Sequence, residues 1–461
     1  MDSVLRLSAV EAVRALKRGE VSPLELVDAV ADRLDEVEPV VNALVARCLD
    51  RARANARRLM SDGDVEADHP AWLAGLPVTV KDVVDVAGLP TTFGSPLYRD
   101  RVADRSDPLV ARIERRGAIV VGKTNLPEFC SGADTVSPVS GRTANPVDPA
   151  VSCGASSGGA AASVAAGAVW CAHGTDTAGS IRIPAAFCGT VGLRPTPGLV
   201  PGGRGGDPLD FEVHGPLARN VADTELFFAA MAGAELPPAE PVRRVAVSLD
   251  LGGTVPVDDE IRRVCARAVA DLKADEAAPP LDGVHEACLT LLGHRAQALH
   301  GARVDRWGEA IGPALRAEVD AGRRIPPDRL DAARRTREWF RHAVATFFAE
   351  YDVLVTPTFG VPPWPVPDGF ATDPARIAAV WPLTTLAPMA GCPALTIPVS
   401  SSRSGSLIEE LPWLSDTDKS GHDTHEISSI TAGLPVGLQV MGAPGSEVRV
   451  LRVARELEGA L

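Results

Sequence analysis

No two of the eight cysteines form a C-x-x-C pair; they stand at positions 48, 130, 153, 171, 188, 265, 288 and 392. Metal-ribbon and thioredoxin-type redox chemistry have no spacing to rest on, so neither a metal nor another cofactor is expected. Free thiols in a reduced, cytoplasmic setting are the plain expectation. The start, Met1-Asp2-Ser3-Val4-Leu5-Arg6, lacks a basic stretch followed by an apolar run, and no secretory signal is read there. Basic residues are in the minority, 46 Lys and Arg against 60 Asp and Glu, for a net charge of −14. That balance argues against nucleic acid and against anionic membrane surfaces as partners.

Charge is missing altogether from Pro149 to Thr175. Length alone would admit a membrane span. The segment opens on Cys153-Gly154-Ala155-Ser156-Ser157-Gly158-Gly159, however, and its helix-like part runs only from Ala160 to Trp170. A buried central helix is expected instead, and no membrane partner.

What is present is ordinary globular composition, 45% apolar and 23% charged over 461 residues, enough for a large core. Ser8-Ala9-Val10-Glu11 and Ser22-Pro23-Leu24-Glu25 are capping boxes that open helices in the N-terminal sixty residues. Behind the second, Leu26, Val27, Val30, Ala31, Leu34 and Val37 form one apolar face. Leu76–Val84 and Ala118–Gly122 read as strands, with Pro108–Glu114 as a helix between them. Arg244–Leu249 and Tyr351–Thr356 read as further strands, Glu260–Leu272 as an amphipathic helix, and residues 283–350 as helix-rich. Ala394–Val399 and Leu434–Val440 look like paired strands, separated by a Ser-rich, charged stretch at 400–432. That stretch is too long for a hairpin turn and reads as a surface insertion or a lid.

Three places could carry chemistry. Lys81 sits among Val78, Val80, Val83 and Val84, where burial would disfavour the ammonium and leave a usable amine base. A strand-end lysine reaching water, or pairing with Asp82, is the alternative. Gly154-Ala155-Ser156-Ser157-Gly158 matches the G-x-S-x-G nucleophile elbow, but the irregular Pro146–Cys153 precedes it where an elbow needs a strand. Ser180 follows Gly174-Thr175-Asp176-Thr177-Ala178-Gly179, a small-residue turn whose backbone N–H groups can converge on one point. His173 directly before this turn reads as structural.

Together Lys81, the Ser156–Ser157 pair, and Ser180 in Gly-Thr-Asp-x-x-Gly-Ser-Ile-Arg-x-Pro resemble the amidase signature family. Gly75–Asp82, Gly122–Phe129, Ala185–Gly189, Gly215–Arg219, Leu354–Thr358 and Gly433–Gln439 are similar to its other blocks, so the likeness runs nearly end to end. The resemblance implies an α/β amidase signature fold, a large twisted mixed β-sheet core covered by helices on both faces. It also implies one domain over 1–461: N-terminal helices at 1–60, a catalytic core at 70–235, a helix-rich region at 260–350, and C-terminal strands at 351–461 carrying the insertion.

The implied mechanism has neutral Lys81 draw a proton from Ser156, which relays one from the nucleophile Ser180. The N–H groups of Thr177, Ala178, Gly179 and Ser180 form the oxyanion hole. Ser157, Asp176 and Arg182 support the site, the Ala155–Ser156 peptide is cis, and Cys130, like Ser156, lies against the acyl group. The substrate is then a small-molecule amide, cleaved to an acid plus ammonia or an amine. Ala155 and Ala178 stand where the family usually has glycine, and Ala178 should tighten the pocket beside the oxyanion hole. Pro388–Pro393 also departs from the family's pattern. Phe93, Phe129, Trp170, Phe187 and Phe211 are the candidates for an apolar acyl pocket.

Two alternatives carry other chemistry. One is the glutaminase component of a tRNA-dependent amidotransferase, although Ile183 stands where that group usually has glutamine. The other is a Ser-His-Asp esterase with Ser156 as its nucleophile. A homodimer is compatible with the sequence, which does not fix the oligomeric state.

Overall fold

A computed structural model of the chain describes residues 2–62, 67–202, 207, 209–238, 241–367, 374–399 and 433–460. The expected insertion at 400–432 lies outside the described residues. Both capping boxes form. The Ser8 and Ser22 hydroxyls accept from the N–H groups of Glu11 and Glu25, whose carboxylates reach back, and the helices Ala9–Arg18 and Pro23–Val41 follow. The apolar face predicted on the second of these is buried from Leu26 to Val37.

Thirteen strands are present among the described residues: β1 (Leu44–Arg47), β2 (Pro77–Lys81), β3 (Ile119–Thr124), β4 (Val136–Ser137), β5 (Gly141–Arg142), β6 (Cys171–Asp176), β7 (Val191–Arg194), β8 (Val213–Ala218), β9 (Val245–Val247), β10 (Ala274–Glu276), β11 (Val353–Pro357), β12 (Ala394–Val399) and β13 (Val436–Gly442). Eleven of them make one sheet in the order β1-β3-β2-β6-β8-β7-β12-β13-β11-β9-β10. Pairing is mixed: β2 lies parallel to both β3 and β6, while β6–β8, β7–β12 and β12–β13 are antiparallel. The C-terminal strands pair as predicted, with Ile397 opposite Leu438.

Successive side chains of a strand point to opposite faces, and here the two faces join different cores. Val353 and Val355 pack with Val245, Leu438 and Val440 in one cluster. The intervening Leu354 joins Ala246, Ala394 and Met441 in another. Helices cover both faces of this mixed α/β sheet. The N-terminal helices, Gly158–Ala165, Val221–Ala232 and Glu447–Ala460 supply the first core. Arg182–Cys188, Val284–Trp307, Pro327–Glu350 and Pro382–Ala390 supply the second.

Two local expectations change. β1 interrupts the predicted run of N-terminal helices because its backbone completes the sheet edge beside β3. The uncharged segment holds a buried helix at Gly158–Ala165 but then becomes β6, so Gly174-Thr175-Asp176 ends a strand rather than forming a turn. No helix among the described residues is long and apolar enough to cross a membrane.

Candidate active site

All five residues of β2 are buried, and Lys81 is its last. The parallel pairing of β2 with β6, Val80 opposite His173, brings the carboxyl ends of both strands to one place. There the Lys81 Nζ lies in hydrogen-bond contact with Ser156 Oγ at 2.7 Å, Ser157 Oγ at 2.9 Å and Thr175 Oγ1 at 2.9 Å. The alternative partner, Asp82, turns instead to Lys123, 2.8 Å away, and both of those side chains are fully buried. Burial pushes the Lys123 ammonium down against the pull of Asp82. Adjacent lysines on neighbouring strands are thus held differently, one by a carboxylate and one among hydroxyls.

The serine pair is set by close backbone approach. A side chain at Gly158 would meet Thr135 Oγ1 at 2.2 Å, and one at Gly159 would meet Asn125 N at 2.5 Å. Only glycine fits at these two positions. The Ala155–Ser156 peptide is cis, as the family resemblance implied. Ser157 is fully committed: its hydroxyl donates to Thr175 O at 3.1 Å and accepts from Thr175 N at 3.2 Å as well as from Lys81. Its own N–H donates to the Ser180 carbonyl at 3.0 Å, tying the serine pair to the turn that carries Ser180. No strand precedes Ser156, so the elbow geometry is not formed.

The Ser180 turn is organised by Asp176. Its carboxylate accepts from Gly179 N at 2.9 Å and Ile181 N at 3.2 Å. Arg182 grips it with two parallel bonds, Nε at 3.0 Å and Nη2 at 2.9 Å. Arg194 adds a contact at 3.3 Å and donates to the Asp176 carbonyl at 2.6 Å. Burial would raise the Asp176 carboxyl, but Arg182 and Arg194 outweigh it and hold it well below the usual carboxylate range. Burial in turn pushes Arg194 down to about 10. Gly179 has φ +121°, and a methyl there would lie 2.8 Å from Ile183 and Thr384. Of the four N–H groups expected to form the oxyanion hole, Gly179's is therefore spent on Asp176. Among the described residues those of Thr177, Ala178 and Ser180 have no protein acceptor. The Ala178 carbonyl accepts from Thr384 Oγ1 at 2.9 Å, which fixes that peptide from behind.

Ser156, Ser180, Thr175, Thr177, Ala178 and Cys130 line one cavity of about 570 Å³. The two serine hydroxyls share this space; no hydrogen bond joins them among the described contacts. Cys130 is half-buried, and the other seven cysteines are buried. His173 is buried, and its Nδ1 accepts from the Lys81 N–H at 3.2 Å. Nε2 faces His214 Nδ1 at 2.8 Å, so both ring nitrogens are engaged away from either serine. Burial first, then the neighbouring His214, keeps this ring neutral. It joins β2 to β6 and is not placed to serve an esterase. Among the described residues no group of three His, Cys, Asp or Glu is placed to share a metal ion.

The pocket's aromatic lining differs from expectation. Phe129 lines it, with Phe93 stacked behind at 6.3 Å. Phe187 packs edge-on behind Trp364, and Phe211 is covered by Arg337. Trp170 lies elsewhere, its Nε1 donating to Leu7 O at 2.8 Å. Phe359, Trp364 and Trp381 line the cavity instead, together with one face of each of the helices Val284–Trp307 and Pro313–Arg323. Sequence reasoning placed those helices in a helix-rich region without linking them to the site. Only their helical spacing of small and polar residues hinted at it.

The chain matches the Amidase family over residues 25–279 and 302–451. It is 32% identical over 470 residues to an amidase of Pseudomonas putida, covering 94% of this chain and 96% of the relative. It is 31% identical over 494 residues to a glutamyl-tRNA(Gln) amidotransferase component of Synechococcus sp. (strain CC9605), with 96% and 94% covered. Among solved structures it superposes on a crystal structure of an amidase with a TM-score of 0.82 and 29% identity, covering 99% of this chain and 100% of that one.

Proposed function

The chain belongs to the amidase family, and on that premise we propose that it cleaves carboxylic amides through an acyl-enzyme on Ser180. The observation that carries this reading is the 2.7 Å contact between Lys81 Nζ and Ser156 Oγ beside a cavity that Ser180 also lines. A neutral amine has two N–H donors and one lone pair. Ser157 has already given its proton to the Thr175 carbonyl, so it accepts from Lys81. With Thr175 Oγ1 taking the second N–H, the lone pair is left for the Ser156 proton.

Lys81 then accepts the Ser156 proton while Ser156 takes that of Ser180, whose oxygen attacks the carbonyl carbon. The N–H groups of Thr177, Ala178 and Ser180, which have no acceptor among the described residues, receive the negative oxygen. The C–N bond breaks as the proton returns through Ser156 to the departing nitrogen, releasing ammonia or an amine. Water, deprotonated along the same path, attacks the ester and releases the acid. Ser180 recovers its proton.

The test uses a panel of amides read by ammonia or amine release. Lys81→Ala and Ser180→Ala should each lower turnover by at least about 10³-fold, with circular dichroism unchanged. A fluorophosphonate should label Ser180. Normal turnover by either variant, or labelling at Ser156, overturns the assignment. Glutamine hydrolysis without partner proteins separates this reading from the amidotransferase one, against which Ile183 stands in the cavity wall.

A further inference from the structure

The cavity that Ser180 lines carries the hydroxyls of Ser156, Thr175 and Thr177 beside it, and its charged lining residues are Glu212, Arg295 and Glu318. Ala314, Glu318 and Ala321 recur at helical spacing on Pro313–Arg323, so one face of that helix meets the cavity, and Glu318 is its charged member. The helix is pressed against Val284–Trp307, since a side chain at Gly322 would lie 2.1 Å from the Gly293 carbonyl. That crossing fixes where Glu318 stands.

Its surroundings leave the carboxylate short of positive charge. Ser131, next to Cys130, donates to Glu318 Oε2 at 3.0 Å. Among the described residues no cation lies within salt-bridge distance of it. Arg295, whose charge reaches Glu318, is already held by Asp207 at 2.9 Å and Glu212 at 2.8 Å. Among the described residues that line the cavity, the carboxylates are Glu212 and Glu318 and the guanidinium is Arg295, which Glu212 and Asp207 already hold. Glu318 is solvent-accessible and lines the cavity, so a ligand entering it can reach the carboxylate. Enclosure raises its carboxyl, with the Ser131 hydroxyl working the other way. An incoming cation would favour the ionised form.

We propose that Glu318 is a specificity-determining residue that binds an ammonium group at the end of the substrate remote from the scissile carbonyl. The preferred substrates are then amides bearing a protonated amine, carried on the acyl or on the amine side. This rests on the amidase reading. It goes further in naming the substrate class, and it disfavours substrates whose remote end is a carboxylate.

The experiment compares isosteres within each protein. One series has acyl anilides ending in either –NH₃⁺ or –CH₃ at equal chain length; the other carries the same pair on the amine side. Wild type should favour the ammonium member of at least one series by on the order of tenfold or more in kcat/KM, through KM. In Glu318→Gln the ratio should collapse toward one. A ratio near one in both wild-type series, or a preference that survives in Glu318→Gln, overturns the proposal while leaving amide hydrolysis standing. Calorimetry of the ammonium amides on Ser180→Ala reads recognition without turnover. Binding that weakens about tenfold in Ser180→Ala/Glu318→Gln supports the proposal even if no amide is cleaved, and absent or unchanged binding defeats it.

Discussion

Replacing Asp176 with asparagine tests whether one buried carboxylate holds both the surrounding fold and the turn that carries Ser180, the proposed nucleophile. Asp176, Arg182 and Arg194 are all fully buried. The carboxylate accepts from both guanidiniums and from two backbone N–H groups. Neutralising one partner of a buried ion pair leaves uncompensated charge and costs about 3–5 kcal/mol. Unfolding entropy of about 2.1 cal/mol/K per residue gives about 1 kcal/mol/K for a chain of 461 residues. The expected fall in the thermal midpoint is therefore about 3–5 °C, read by differential scanning calorimetry. The amide of asparagine also offers a donor to groups that are already donors. Gly179 and Ile181 lose part of their anchor, and kcat should fall by about 10²-fold. Because the folded carboxyl lies below its unfolded value of about 3.9, its contribution is complete above that value and is lost only as pH falls toward the folded one. The gap in stability between wild type and Asp176→Asn should stay constant from about pH 8 to 5 and close in stronger acid. A variant within about 1 °C and twofold of wild type would refute the reasoning.

Two further outcomes follow from the same geometry. Buried His173 is held neutral, so it binds a proton in the unfolded chain before it does in the folded one. Stability from this source is present above the unfolded value of about 6.5 and is lost below it, so the advantage of wild type over His173→Gln should shrink between about pH 7.5 and 5; a constant difference in urea midpoint would count against it. Cys130, the half-buried thiol lining the cavity, should be the first alkylated by iodoacetamide, with loss of turnover and protection by a bound carboxylic acid product. Mass spectrometry that finds another cysteine modified first, or full activity after Cys130 is blocked, would remove it from the substrate site.

Much of the local structure was legible because its causes are local. Ser8 and Ser22 cap helices with a glutamate three residues on, and the β-branched run before Lys81 gives a strand whatever lies beside it. The strand β6 was not legible, since Cys171–Asp176 is rich in small and polar residues and is held by its partners β2 and β8. Glycine at 158 and 159 has no local explanation. In the fold it is room for Thr135 and Asn125. Trp170 and Phe211 were misplaced because proximity in sequence to a motif says nothing about which face of the sheet a side chain takes.

By itself, then, the sequence determined the family and singled out the groups proposed to react: a lysine, two paired serines and a third serine in a small-residue turn, within blocks that run nearly the whole chain. Tertiary structure decided what those groups touch. Lys81 meets hydroxyls 75, 76 and 94 residues away because β2 and β6 run parallel and end together, while Asp82 goes to Lys123. It also decided that the Gly179 N–H serves Asp176, and that helices from 284 to 323 put Glu318 into the cavity. Contacts of that kind depend on pairing and packing between distant segments, which no local pattern encodes.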